Sequence, residues 1–266
     1  MGPVHAYLRL AGVWCRALLQ YPVSLAMLTL AQTVGAALDV AAILIVFAHT
    51  TRIAGFTEPE VLFLYGTAAT AFALADTLVG SLERIGAHIR SGWLDVMLTR
   101  PVSPLVQVAV DRFSPRRLGK LAPALAALLI GAAGLDVAWT PGLVAFTVLF
   151  VVSGTVIASS IWVVGAAFQF IAVDAAQASN AFTYGGKELT SYPMAIYPRD
   201  LVRFTTFVVP LAFVNWQPAL YVLDRPDPLG LPEWLRHASP AVALATAAVA
   251  ALCWRAGLRR YRSTGS

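Results

Sequence analysis

Two carboxylates lie inside runs of apolar residues, where an ionised side chain is costly. Asp39 and Asp76 each interrupt such a run, and Gln32 precedes Asp39 by seven residues, which places these two on one face of a helix. A carboxylate in hydrocarbon costs about 2.5–3.5 kcal/mol, so both aspartates are expected to face protein or a wet cavity. One interpretation is a site that carries a proton or a cation; the other is a hydrogen bond between helices.

The motifs of other chemistry are missing from the sequence. A phosphate-binding loop needs Gly-Lys followed by Ser or Thr, but the two Gly-Lys pairs continue with Leu121 and Glu188. Cys15 and Cys253 have no second Cys or His at metal-binding spacing, and no Ser is framed by Gly as a nucleophile. The sequence therefore predicts no catalytic centre, metal or cofactor in this chain.

The composition is that of a membrane protein. Of the 266 residues, 58% are hydrophobic and only 12% are charged, with a mean hydropathy of +0.71, whereas a soluble domain carries roughly 25% charged residues. Because lipid satisfies no backbone groups, we predict an all-α polytopic fold. Six transmembrane spans are expected, over residues 24–48, 61–82, 121–137, 143–169, 201–223 and 239–254.

The basic residues set the predicted direction of these spans. The net charge of +5 comes from basic residues that lie between apolar runs, which argues against nucleic-acid binding. Sixteen of the 19 Lys and Arg residues fall on one side of the six-span layout, and such an excess marks the cytoplasmic side. Both termini are then cytoplasmic, in what the arginine-rich, lysine-poor composition suggests is a bacterial plasma membrane.

This layout divides a single domain into segments. They are an interfacial helix (1–22), spans one and two (24–82), a cytoplasmic loop (83–120), spans three and four (121–169), a cytoplasmic segment (170–200), spans five and six (201–254) and a basic tail (255–266). The interfacial helix is amphipathic and basic, so it is expected to lie in the headgroup plane, as a surface anchor or as a contact for a partner. Its apolar face is formed by Val4, Leu8, Ala11, Trp14 and Leu18.

The cytoplasmic stretch "IRSGWLDVMLTRPVSP", residues 89–104, mixes charged and apolar side chains. Ser91 is a candidate N-cap and Pro101 ends the segment, which leaves about two helical turns. Trp93, Leu94 and Met97 would form an apolar face of the kind that enters a groove on another protein. The alternative is a plain link between spans two and three.

Two blocks of the sequence resemble the permease subunits of the type-2 ATP-binding-cassette (ABC) exporter family. The first is the stretch just quoted. Its matching or candidate coupling residues are Arg90, Gly92, Trp93, Leu94, Asp95, Met97, Leu98, Arg100 and Pro101. Trp93 departs from the family pattern, which often has an acidic residue there. The second block carries a family motif ahead of the fifth span, formed here by Tyr192, Pro193, Ile196, Tyr197 and Pro198. It then carries a proline-rich family segment within and beyond that span, formed here by Pro210, Phe213 and Pro218.

The resemblance implies a coupling helix at residues 91–100 that receives movement from an ABC ATPase. It also implies that two copies of this ATPase bind the ATP and Mg²⁺, that a second permease, related but different, completes a dimer, and that residues 216–235 form a re-entrant cap between spans five and six. The expected pathway or gate residues are Gln32, Asp39, Asp76, Pro210, Phe213, Asn215, Trp216 and Pro218.

The function expected from the sequence is therefore that of a non-catalytic membrane permease in an ATP-driven exporter. Its aromatic-rich spans, with few charges, favour a hydrophobic or amphipathic substrate such as a drug, a natural product or a lipid. The alternative is a self-contained secondary transporter that uses Asp39 or Asp76 to carry protons. The absence of an internal repeat argues against that alternative, because such transporters usually have duplicated halves.

Overall fold

The computed structural model describes residues 2–172 and 176–261, and this part of the chain contains helices and no β-strand. The all-α prediction is confirmed. The α-helices are α1 (Pro3–Leu19), α2 (Pro22–Phe47), α3 (Glu58–Val79), α4 (Ile85–Arg90), α5 (Trp93–Leu98), α6 (Pro104–Val110), α7 (Leu121–Gly134), α8 (Pro141–Phe168), α9 (Ala176–Thr190), α10 (Arg199–Phe207), α11 (Trp216–Val222) and α12 (Ser239–Arg260). Short 3-10 helices lie at Gly80–Arg84, Pro115–Lys120, Met194–Ile196, Leu211–Phe213 and Glu233–His237.

Five helical stretches among these residues are long and apolar enough to cross a membrane. They are Pro22–Phe47, Glu58–Arg90, Pro115–Gly134, Pro141–Phe168 and Ser239–Arg260. They correspond to the predicted spans one, two, three, four and six. The chain is thus a multi-pass membrane protein, but the predicted fifth span is not one of these helices.

Helix α3 lies at the centre of the bundle and is buried along nearly its whole length. Small residues allow the neighbouring backbones to come close: a Cβ at Gly66 would collide with the backbone of Leu128 in α7, and one at Gly131 would collide with the backbone of Phe63. A capping box begins α3, in which the backbone N–H of Thr57 donates to the Glu60 carboxylate at 2.7 Å.

The bundle has two distinguishable ends. The basic end carries Arg84, Arg90, Arg112 and Arg116. Helices α2 and α7 begin at this end, and α3, α8 and α12 end there. The ends of α3 and α8 are joined by a hydrogen bond from the backbone N–H of Gly86 to the Gln169 side chain just beyond α8. The opposite end holds the α2–α3 and α7–α8 connections. There Arg225 pairs with Glu60 at 2.8 Å, and this hydrogen-bonded pairing raises the pKa of the Arg225 guanidinium.

Helix α9 lies within residues 170–200, which the sequence predicts to be a cytoplasmic segment, and it packs against the bundle; the side of the membrane on which this segment lies stays a prediction. Its Tyr184 hydroxyl donates to Glu83 near the basic end, Lys187 reaches Asp39 in α2, and Thr190 lies beside Asn215, which also bonds to Leu64 in α3. Helix α9 therefore runs back across the bundle towards the opposite end. The return is required because α8 and α12 are parallel, with Phe170 packed on Trp254 at one end and Phe146 beside His237 at the other.

The predicted fifth span, residues 201–223, is divided into short pieces. Helix α10 ends at Phe207, Pro210 precedes a 3-10 turn, and α11 begins only at Trp216. At 9 and 7 residues, α10 and α11 span about 14 and 10 Å, which is too short to cross a membrane. The segment enters the bundle as far as Val214, whose carbonyl lies against Gly154 at the middle of α8, and returns to the opposite end at Arg225.

The ends of the chain agree with the predicted layout in part. Helix α1 forms where an amphipathic helix is expected, and its Tyr7 hydroxyl donates to the Leu78 carbonyl at 2.8 Å. Burial raises the pKa of Tyr7 to about 12. Ala11 faces the bundle, whereas Val4 and Leu8 are exposed. Helix α12 continues to Arg260, into the predicted tail, and residues 262–266 of that tail lie outside the described residues.

Candidate functional site

A cavity of about 440 Å³ lies inside the bundle between α2, α3 and α9. It contains the three polar residues that the sequence singles out within the first two spans. Gln32 and Asp39 line it from α2, and Asp76 lines it from α3. The structure therefore brings together residues that are 44 and 37 positions apart in the chain, as expected for carboxylates that face a protein cavity.

Asp39 is paired with a lysine across this cavity. Lys187 of α9 donates from Nζ to Asp39 Oδ2 at 2.8 Å, and it also donates to its neighbour Glu188 at 3.2 Å. The Tyr65 hydroxyl contacts the same Asp39 oxygen at 3.4 Å. Asp39 thus links α2, α3 and α9 by interhelical hydrogen bonds, one of the two interpretations of the sequence, and the bond to Lys187 is also an ion pair.

Asp76 is paired in a second cluster, towards the basic end. Lys120 Nζ donates to Asp76 Oδ2 at 3.0 Å, and the Arg117 guanidinium lies 3.5 Å from Asp76 Oδ1. Arg117 also donates to the Asp76 carbonyl at 2.9 Å. Two cations therefore compensate one buried carboxylate, which is what such a carboxylate requires to stay ionised.

Aromatic side chains form the rest of the cavity wall. Trp162 and Tyr184 meet edge to face with ring centroids 6.0 Å apart, and Phe72 packs on the other side of Trp162. Trp162 is only 3% exposed, yet its indole Nε1 has no hydrogen-bond acceptor within the described part of the chain. A cavity with aromatic walls, two ion pairs and a spare donor is suited to an amphipathic molecule that offers an acceptor.

Helix α5, at the basic end, has one side fixed to the bundle. Gly92 precedes it with a φ of +68°, a left-handed conformation that glycine adopts readily. Leu94 and Met97 are 0% and 3% exposed and pack in a cluster with Leu82, Ile85 and other residues. The prediction that Leu94 and Met97 are part of an apolar face offered to a partner is therefore wrong, because both belong to this protein's own core.

Polar contacts hold α5 in the same place. The Gln107 side-chain amide donates to the carbonyls of Met97 and Val102, each at 2.8 Å. The Tyr261 hydroxyl, just beyond α12, donates to Asp95 at 3.0 Å, and burial together with this bond raises the pKa of Tyr261. Ser91 bonds to the His88 carbonyl and does not cap α5, contrary to the prediction.

The other side of α5 faces outwards. Trp93, Val96 and Leu98 are exposed, with Trp93 42% accessible, and the Arg100 guanidinium lies 5.6 Å from the centre of the Trp93 ring. Pro101 follows, also exposed. The predicted anchor Trp93 is therefore available to a partner, together with Val96, which the sequence pattern did not single out. We call Trp93, Val96, Leu98 and Arg100 the outward face of α5.

A family model described as "ABC-2 family transporter protein" matches residues 33–265, which is most of the chain. The chain belongs to this family. It is therefore a membrane permease subunit of an ABC transporter, as the resemblance of its two sequence blocks implies. Permeases of this family are in general non-catalytic membrane components that associate with an ABC ATPase. Comparisons with curated proteins and with solved structures give no match.

The predicted pathway residues of this permease do not all meet at one place. Gln32, Asp39 and Asp76 line the cavity, whereas the five predicted from the fifth span lie in or beside the packed core near α11: Pro210, Phe213, Asn215, Trp216 and Pro218. Trp216 packs on Phe56 with ring centroids 5.5 Å apart. The eight residues therefore do not line one cavity, and their role along one pathway or gate stays a prediction.

The family motif ahead of the predicted fifth span lies at the turn between α9 and α10. Pro193 follows the end of α9, and Pro198 directly precedes α10. Ile196 ends the 3-10 helix between them, while Tyr192 and Tyr197 pack on the main core. These residues form the connection between α9 and α10, and their expected role as a structural motif stays a prediction.

The sequence pattern did not indicate several residues of the cavity, namely Tyr65, Lys120, Trp162, Tyr184 and Lys187. A signal for two of them was present. Lys120 and Lys187 are the only lysines in the chain, and the two aspartates within apolar runs require cations. Equal numbers of lysines and of such aspartates indicate ion pairs, although they do not say which lysine pairs with which aspartate.

Proposed function

We propose that this permease is the membrane-spanning subunit of an ATP-driven exporter and forms half of its translocation pathway. The observation that carries the proposal is the outward face of α5, an exposed apolar and cationic surface on a helix whose other side is fixed to the bundle. Such a surface suits the groove of a separate ATPase. Two copies of that ATPase would bind the ATP and Mg²⁺, for which this sequence has no phosphate-binding loop.

The packing of α5 supports transmission of movement into the membrane. Leu94 and Met97 pack on residues that continue from α3, and Tyr261 ties Asp95 to the end of α12. A force on α5 would therefore reach two membrane helices directly, because close-packed interiors transmit displacement. Gln107 extends the same connection to α6.

The basic end would face the cytoplasm. Arginines dominate this end, and counting α9 as the fifth crossing gives six passes with both termini on the same side. With α9 as a crossing, Arg199 and Arg203 move to the outer side, yet the excess of basic residues stays at the basic end. The segment from α10 to α11 is then re-entrant from the outside, supported by its depth at Val214 and its return at Arg225.

The cavity between α2, α3 and α9 would be part of the pathway. Its aromatic wall and ion pairs favour an amphipathic or hydrophobic substrate, such as a drug, a natural product or a lipid. Only 11% of the most apolar 18-residue stretch of α2 is buried inside this chain, which leaves a long surface for lipid and for a second permease. We propose that this second permease is a related but different chain.

The pairing of Asp39 and Asp76 weighs against the alternative of a proton-coupled transporter. A proton carrier must exchange its proton with solvent during the cycle, whereas each of these carboxylates is held by a lysine at 2.8 or 3.0 Å. Both are better explained as interhelical ties within the pathway.

The proposed function is tested by crosslinking from the outward face of α5. A photoreactive amino acid at Val96, in the full chain co-expressed with its ABC ATPase in membranes, should give a covalent adduct with the ATPase. The same amino acid at Trp234, which is exposed at the opposite end, should give none. An adduct from Trp234 but not from Val96 would contradict the proposal.

A further inference from the structure

A second cavity, of about 430 Å³, lies at the basic end beside α1. It opens between α1, the first turns of α2 and the connections on either side of α4–α6. Arg84, Arg112 and Arg116 line one part of it, and Trp14 and Leu25 line another. We call this cavity the arginine pocket.

The charge of the arginine pocket is uncompensated. Of its four arginines, Arg117 is engaged by Asp76 at 3.5 Å and lies 4.0 Å from Glu83, the one carboxylate in the lining. Among residues 2–172 and 176–261, no carboxylate lies within 4.0 Å of Arg84, Arg112 or Arg116. Three arginines thus line one cavity without a carboxylate partner of their own, although guanidinium groups pair favourably with carboxylate or phosphate.

The backbone at Arg112 is unusual for a residue that faces a cavity. Its φ is +52°, in the left-handed region that is unfavourable for a non-glycine residue. The following turn is closed by a hydrogen bond from the Phe113 N–H to the Val110 carbonyl at 2.9 Å. Strained residues of this kind cluster at binding sites, where the surrounding structure holds them in place.

The rest of the pocket is apolar and belongs to the membrane-facing helices. Leu25 and Leu28 come from α2, a candidate membrane span, and Leu18 comes from α1. Trp14 and Tyr21 also line the pocket, and such aromatic residues are typical of the level of lipid headgroups. The pocket therefore has a cationic part and an apolar part, which is the polarity of a phospholipid.

We propose that the arginine pocket binds an anionic phospholipid, with its phosphate among Arg84, Arg112 and Arg116 and its acyl chains along Leu25 and Leu28. A free phosphate would use only the cationic part of this site. The lipid would join α1 to α2 and to the connections that hold α5, so its binding would stabilise the folded chain. The proposal depends on membrane insertion and not on ATP-driven export.

The test is a lipid titration of the purified full-length chain, followed by native mass spectrometry and by thermal unfolding in detergent. The probes are dioleoylphosphatidylglycerol, dioleoylphosphatidylcholine and inorganic phosphate. We expect phosphatidylglycerol to bind at one site and to raise the unfolding temperature. Phosphatidylcholine and phosphate should do neither at the same concentration, and equal binding of either would overturn the proposal.

A matched pair of triple variants identifies the site. Arg84→Gln/Arg112→Gln/Arg116→Gln should weaken phosphatidylglycerol binding by about tenfold or more, since each arginine near an anionic headgroup is worth about fivefold. Arg255→Gln/Arg259→Gln/Arg260→Gln removes the same charge from the exposed end of α12 and should change binding less than about twofold. Equal weakening in both variants would mean general attraction to the basic end and would overturn the proposal.

A milder variant covers the case in which the triple variant fails to fold. Arg116 is exposed, so Arg116→Gln should fold normally and weaken binding by about fivefold. Its unfolding temperature without lipid should equal that of the unmodified chain, and the rise on adding phosphatidylglycerol should be smaller. Unchanged lipid affinity in Arg116→Gln would contradict the assignment of this arginine to the phosphate.

Discussion

Lys187 Nζ lies 2.8 Å from Asp39 Oδ2, and this ion pair joins α9 to α2 across the larger cavity. The two residues are 148 positions apart, so the contact depends on the whole fold. It also fixes α9 against the bundle, because Lys187 of α9 reaches Asp39 of α2. If α9 is the fifth crossing, the pair lies within the proposed pathway and holds it together.

Removal of one partner of this pair should destabilise the permease. Lys187→Ala leaves Asp39 without its cation, and since both side chains are partly exposed we expect a loss of about 1–2 kcal/mol. Thermal unfolding in detergent measures this, with Glu188→Gln as the control because Glu188 is mostly exposed. The exchange Asp39→Lys/Lys187→Asp should recover part of the loss. An unfolding temperature unchanged by Lys187→Ala would show that the pair is not formed.

The direction of α9 predicts on which side the following turn lies. In a chain whose Cys15 and Cys253 are replaced by Ser, Ala195→Cys lies in an exposed turn beyond α9. It should react with a membrane-impermeant maleimide in intact cells, while Arg116→Cys should react only after permeabilisation. Reaction of Ala195→Cys only after permeabilisation would restore the cytoplasmic assignment of residues 170–200 and remove α9 as a crossing.

The close contact between α3 and α7 predicts a steric effect. Gly131→Ala places a methyl group against the Phe63 backbone, which cannot give way as a flexible side chain could, so we expect a loss of about 1–3 kcal/mol. Gly12→Ala in α1 meets nothing within 4 Å and should be neutral or slightly stabilising. The unfolding temperatures of Gly131→Ala and Gly12→Ala test this prediction. Equal unfolding temperatures would contradict the close approach of α3 and α7 at Gly131.

Hydropathy predicted the five helical stretches that are long and apolar enough to cross a membrane, because their residues face lipid or an apolar core. It did not indicate that α9, whose sequence "AQASNAFTYGGKELT" is polar, packs against the bundle, since part of this helix faces an ion-paired cavity. It also failed for residues 201–223, which are apolar because Phe213 and Trp216 are buried in protein. Hydropathy alone cannot distinguish burial in protein from burial in lipid.

The candidate sites, like the fold, could be predicted only in part from the sequence. Asp39 and Asp76 could be assigned to an interior cavity because hydrocarbon penalises a charge. Their partners could not be assigned by spacing, since Lys187 is brought to Asp39 only by the return of α9. In α5, a helix of 6 residues has apolar side chains on both sides, so the pattern predicted the helix but not that Met97 faces inwards and Val96 outwards.

The two sides of α5 should respond differently to truncation. Met97→Ala creates a cavity in the core and should cost about 2–5 kcal/mol of stability. Trp93→Ala removes an exposed side chain and should leave the unfolding temperature nearly unchanged. If both variants lower the unfolding temperature equally, Trp93 is part of the core, and the outward face of α5 is wrongly defined.

The most direct test of coupling through α5 is the ATPase retained by Trp93→Ala/Val96→Ala after co-expression and purification in detergent. The double variant should insert and unfold like the unmodified permease. The amount of ATPase that it retains should fall by at least about tenfold, because a buried aromatic anchor contributes about 2–4 kcal/mol to an interface. Asp39→Asn, which lies in the cavity and not on α5, should retain the full amount. Full ATPase retention and full transport by the double variant would contradict the account.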